Sequence, residues 1–139
     1  MDYWNSPFSL LHLRNIFRVM KQSTQKYNEL LTRPQFNEFA LWLFNGKCCI
    51  PGCSEDMADA HHIMDRKLFS TGGYYPSNCA PVCSKHHIDC ENGTIKPNEL
   101  IQILKIPTDT LVKPDSLDYL TDEEYKELLL DGTLNKWGK

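Results

Sequence analysis

Three cysteines fall within six residues, Cys48, Cys49 and Cys53, and a second cluster, "CSKH", offers Cys83 and His86 at an x₂ spacing. Zinc takes four Cys or His ligands, usually gathered from two short clusters. Pro51–Gly52 is a turn pair inside the first cluster, and a tight turn lets both ends of a C-x₄-C loop face one ion. Cys48, Cys53, Cys83 and His86 therefore form one closed zinc site. Cys49 replaces Cys48 if the register shifts by one residue, and spacing alone leaves that choice open. The bland alternative is a set of buried thiols, the role expected of Cys79 and Cys90, which have no partner at ligand spacing.

Four of the five histidines lie in two adjacent pairs, His61–His62 and His86–His87. With His86 assigned to zinc, His61, His62 and His87 are left over, and Asn78 stands between them. The order is His62, fifteen residues, Asn78, eight residues, His87. His12 stands alone and is read as a surface residue.

The elements that must position these groups are short. "MADAHHI" and "CAPVC" read as two strands, separated by an excursion that includes "TGGYYPSN". "SKHHIDCEN" reads as a helix capped by Ser84. Before them, "SPFSLLHLRNIFRVMKQ" reads as one helix from Ser6 and "TRPQFNEF…ALWLF" as another, capped by Thr32 and ended by Asn45–Gly46. After them come "PNELIQIL", opened by Pro97, and "TDEEYKELLL", with Thr121 and Glu124 set for a capping box and Gly132 as terminator. The chain thus divides into an N-terminal helical segment (1–46), a cysteine-rich core (47–93) and an acidic helical segment (94–139). No repeat or low-complexity tract is present.

A chain of 139 residues, 41% hydrophobic and 24% charged, suits a soluble globular domain. The longest apolar run, Phe39 to Phe44, is far too short to cross a membrane. The N-terminus lacks the layout of a secretory signal, so an intracellular, cytoplasmic chain with metal-binding thiols is expected. The net charge of −3 is unevenly spread. Six Lys/Arg against three Asp/Glu make residues 1–52 basic, whereas five against nine make residues 97–139 acidic. Overall charge is thus no veto on nucleic acid.

The set "DAHHI", "SNCAPVC" and "CSKHH" resembles the HNH endonucleases, over about residues 47–92. The resemblance implies an α+β fold with a ββα-metal core, a structural zinc beside it, and flanking helices. It departs from many members in stretching the first Cys pair and in replacing the second by Cys-x-x-His. It implies His62 as general base, and His61 and His87 as ligands of a catalytic divalent cation. Asn78 either binds that ion or orients the base. Adjacent strand residues point to opposite sides, which agrees with different jobs for His61 and His62. Hydrolysis of a phosphodiester needs a deprotonated water and a cation for the developing charge. A His/His site favours Mn²⁺, Ni²⁺ or Zn²⁺ over Mg²⁺. Asp59, two residues before His61, either accepts a hydrogen bond from it or is an exposed strand carboxylate.

Arg66, Lys67 and Lys85 are the candidate nucleic-acid contacts, with Arg14, Arg18 and Lys21 on the first helix next. Tyr74 and Tyr75 either stack on an unpaired base or pin their own loop. Binding with so few cations should be strongly salt-dependent. A fainter resemblance joins "CCIPGC…DAHHI…GGYY…N…VC…HH" and "VKPDSL…LNKWGK" to HNH-like modules that precede RNA ligase domains. It implies an RNA-ligase-like partner or domain and moves the expected substrate from DNA toward RNA. The competing expectation is a non-catalytic zinc module that binds nucleic acid or docks a repair enzyme.

Overall fold

A computed structural model describes residues 27–139. The expected first helix, with His12, Arg14, Arg18 and Lys21, lies outside the described residues.

Helix α1, Arg33–Leu43, begins where Thr32 and Gln35 satisfy each other's backbone N–H groups in a capping box, with Pro34 in the first turn. It ends at Phe44, before the Asn45–Gly46 turn. Phe36, Phe39 and Ala40 recur at helical spacing and are buried.

Strands β1, Asp59–His62, and β2, Cys79–Val82, form an antiparallel two-stranded sheet in which His61 faces Ala80 and His62 faces Cys79. Helix α2, Ser84–Glu91, follows directly. Ser84 opens this helix; its cap is Cys83, whose sulfur accepts the His86 N–H, so one residue serves as N-cap and candidate ligand. Both strands are shorter than the "MADAHHI" and "CAPVC" stretches expected from the sequence. Beyond His62 the pairing continues only through the Ile63 N–H to the Asn78 carbonyl, before the chain leaves on its excursion. That excursion holds two 3₁₀ turns, Arg66–Leu68 and Pro76–Asn78.

The sheet is packed between α1 and α2. Strand alternation sends His62 toward α1, where its ring stacks on Phe36 at 4.6 Å, and sends Asp59 and His61 toward α2. Helices α3, Pro97–Leu104, and α4, Asp122–Leu130, pack on each other. The α4 cap is the Thr121–Glu124 box. One apolar cluster joins Ile63, Val82 and Cys90 of the central unit to Leu100, Ile101, Tyr125 and Leu129 of the C-terminal helices and to Leu134 beyond them. The fold is α+β. No helix among the described residues is long and apolar enough to cross a membrane.

Candidate metal centres and the cleft

Two groups of side chains among the described residues bring metal-binding atoms within 4.8 Å of one another. The first is Cys48, Cys53, Cys83 and His86. Its Sγ and Nδ1 atoms are close: Cys83 to His86 is 3.2 Å, Cys48 to His86 is 3.5 Å and Cys53 to Cys83 is 3.9 Å. The Pro51–Gly52 turn, closed by the Cys53 N–H to the Ile50 carbonyl, aims Cys48 and Cys53 at one point. Cys83 and His86 come from the first turn of α2. Burial pushes the Cys83 thiol up, but the His86 N–H, the Cys48 and Cys53 thiols and the Lys85 N–H outweigh it and leave it lowered. Three sulfurs and one imidazole are a donor set for a tetrahedral ion such as zinc.

Cys49 is not in the group. Its N–H donates to the Pro81 carbonyl beside β2, and its side chain is buried in the main core. Burial, followed by the neighbouring Cys48 and Cys90, pushes its thiol up to about 12. Cys90 is likewise buried in that cluster, and Cys79 is buried against Phe36 and Phe39.

The second group is His61, His87 and Glu91. His87 and Glu91 are four apart on α2 and so share a face. Glu91 Oε1 lies 3.3 Å from His61 Nδ1 and 3.2 Å from His87 Nε2. The first of these approaches is not aligned as a hydrogen bond, and His61 Nδ1 is a buried nitrogen with no partner. A cation among the three atoms would satisfy that nitrogen, so the residues fit a divalent ion. Burial, then the Lys136 charge, lowers the His61 imidazole to about 4, leaving a neutral ring with a free lone pair. Burial works to raise the Glu91 carboxyl, but the Lys136 ammonium, followed by His61 and His87, holds it below the usual range.

Nothing in the sequence singles out Glu91 except its four-residue spacing from His87 on a helix. Asn78, expected either to bind the divalent ion or to orient the base, makes its hydrogen bonds elsewhere. Its Oδ1 accepts the Met64 N–H at 2.8 Å, and its Nδ2 donates to the carbonyls of Met64 and Gly73, each at 3.1 Å. The amide is spent on closing the excursion behind β1. Gly73 accepts this approach at φ 73°, where a Cβ would lie 2.7 Å from Phe69. Asp59 also changes partner: its Oδ2 is 3.1 Å from His87 Nδ1, because Asp59 lies on the α2 face of β1, opposite that helix.

A cleft of about 420 Å³ takes in both faces of β1. On the α1 side it is lined by Arg33, Phe36, Ala60 and His62, and on the α2 side by Asp59, His87 and Glu91. Since β2 occupies one edge of β1, the cleft runs over the other. Arg66 and Lys67 line it, as does Lys136. Lys85 does not; it lines a separate hollow beside Cys53, Cys83 and His86. Tyr74 is in the cleft wall, edge-on to Phe36 and His62, and Tyr75 is turned to Phe69 and Thr71. Tyr75 thus pins its own loop, whereas Tyr74 faces the cleft. Burial, then the Arg66 charge, lowers His62 to about 4, and its Nε2 is buried without a hydrogen-bond partner.

Comparison of the chain with family models and curated proteins, and of its fold with solved structures, gives no significant match.

Proposed function

We propose that the chain is a metal-dependent endonuclease of the HNH kind, with a ββα-metal core and a structural zinc held by Cys48, Cys53, Cys83 and His86. The observation that carries the reading is the meeting of buried His61 with His87 and Glu91, which line the cleft that also takes His62, Arg66 and Lys67. Two imidazoles and a carboxylate leave positions for water and phosphate, as an ion that handles substrate requires.

In this reading His62 is the general base. Its ring is held by Phe36 and Tyr74, and burial keeps it neutral, able to accept a proton from water. A bound phosphodiester brings negative charge beside the ring and raises its basicity toward the working range. Arg66 and Lys67, at the excursion's first turn, neutralise phosphates flanking the cleaved one. Asp59 Oδ2, 3.1 Å from His87 Nδ1, favours the tautomer that carries its proton on Nδ1 and leaves Nε2 toward the site. The divalent ion, when bound, supplies a Lewis acid for the charge that develops on the phosphoryl and leaving oxygens.

The test is cleavage of supercoiled plasmid and of end-labelled RNA in Mg²⁺, Mn²⁺ and Ni²⁺, with DNA the expected substrate. His62→Ala should lower the rate by about 10²–10⁴-fold with zinc content and circular dichroism unchanged. Cleavage of neither polymer with any ion, or a fully active His62→Ala, leaves a non-catalytic zinc module as the reading.

A further inference from the structure

The last residues of the chain supply a buried cation to the cleft from far away in sequence. Lys136 is only 3% exposed. Its Nζ lies 2.6 Å from Glu91 Oε2, forty-five residues away, and 3.8 Å from Asp65 Oδ2. The backbone around it is built to hold it there. Asn135 Oδ1 accepts the N–H groups of Trp137 and Lys139, and the Asn135 carbonyl accepts the Gly138 N–H. The Lys136 carbonyl accepts the Asp65 N–H, tying this turn to the chain just after β1. Gly138 sits at φ 78°, where a Cβ would meet Leu117 at 2.9 Å, so the turn closes onto the core only with glycine. Leu134, just before, is buried in the main core.

We propose that Lys136 is a positioning residue of the metal site: it holds Glu91 by Oε2 so that Oε1 faces His61 Nδ1 and His87 Nε2. This rests on the reading of those three residues as ligands of a divalent ion. Glu91 needs such a partner. Its side chain is 51% exposed at the end of α2, and an unheld glutamate there has many rotamers open to it. The carboxylate divides its two oxygens, one to the ammonium and one to the imidazoles, so Lys136 does not compete with an ion for the same atom. Removing the ammonium has two opposed effects, loss of a repelling charge and loss of the orienting bond. The Lys136 charge reaches His61, and Asp65 and Glu91 offset only part of it; on this proposal, losing the orienting bond costs the ion more than losing the repulsion gains.

The experiment titrates Mn²⁺ into wild type, Lys136→Met and Lys136→Arg without nucleic acid, following free Mn²⁺ by electron paramagnetic resonance. Zinc content and thermal midpoint are measured on the same samples. Lys136→Met keeps most of the apolar stem and should weaken Mn²⁺ binding by about 10–100-fold. Lys136→Arg should recover most of the loss, which a purely packing role would not produce, and zinc content should not move. Equal Mn²⁺ affinity in wild type and Lys136→Met overturns the proposal, as does a wild type that binds no Mn²⁺. If wild type binds Mn²⁺ but cleaves nothing, the nuclease reading falls while the titration still decides the role of Lys136.

Discussion

Two candidate metal-binding groups draw ligands from successive turns of α2, and they differ in almost every respect that governs an ion's behaviour. At the N-terminal end, three sulfurs and an imidazole supply four protein donors, with Cys48 and Cys83 buried. Along the helix toward its C-terminus, two nitrogens and a carboxylate oxygen supply three, with the Glu91 side chain half exposed beside a cleft. In the proposed reading, one strand-and-helix unit holds one ion with four protein donors and offers another to substrate. Donor number, softness and exposure set the difference; distance does not, since His86 and His87 are neighbours.

The largest expected effect tests the closed half. Cys83→Ser removes a candidate zinc ligand and replaces the sulfur that caps α2. Structural zinc sites in small domains contribute about 10 kcal/mol or more to folding, against a total stability of ~5–15 kcal/mol, so this variant should be largely unfolded. Circular dichroism and elemental analysis check it; a folded, zinc-free variant would remove the distinction between the two groups.

A smaller perturbation tests the open half. Mild chelation should strip the ion at His61, His87 and Glu91 and abolish cleavage, with zinc content and circular dichroism unchanged and activity restored by added Mn²⁺. Unfolding in step with activity loss would make the two groups one structural site.

The smallest effect separates the two faces electrostatically. Arg66→Ala, in the cleft, should reduce the dependence of log affinity on log salt by about one ion for nucleic acid. Lys85→Ala, beside the cysteine cluster, should leave that slope alone. Equal effects would mean that nucleic acid lies across both faces.

How much of this was legible in the chain depends on how local each signal was. The Pro51–Gly52 turn and the Cys83-x₂-His86 spacing act over a few residues, so the four-donor cluster could be read from the sequence. Strand alternation likewise separates His61 from His62 within a single dipeptide, and the Thr32 and Thr121 capping boxes need only one helical turn. The choice of Cys48 over Cys49 was decided by a backbone hydrogen bond from Cys49 to Pro81, a pairing that no periodicity in residues 47–53 reveals. Asn78 fills neither expected role because the closing of the excursion took its amide. Asp59 turned to His87 because α2 lies over that face of β1. Lys136 reaches Glu91 only through the packing of Leu134 and the turn after it. A local spacing fixes which side chains can share a face, whereas bonds between distant segments arise only when the core forms and sets the segments' relative positions.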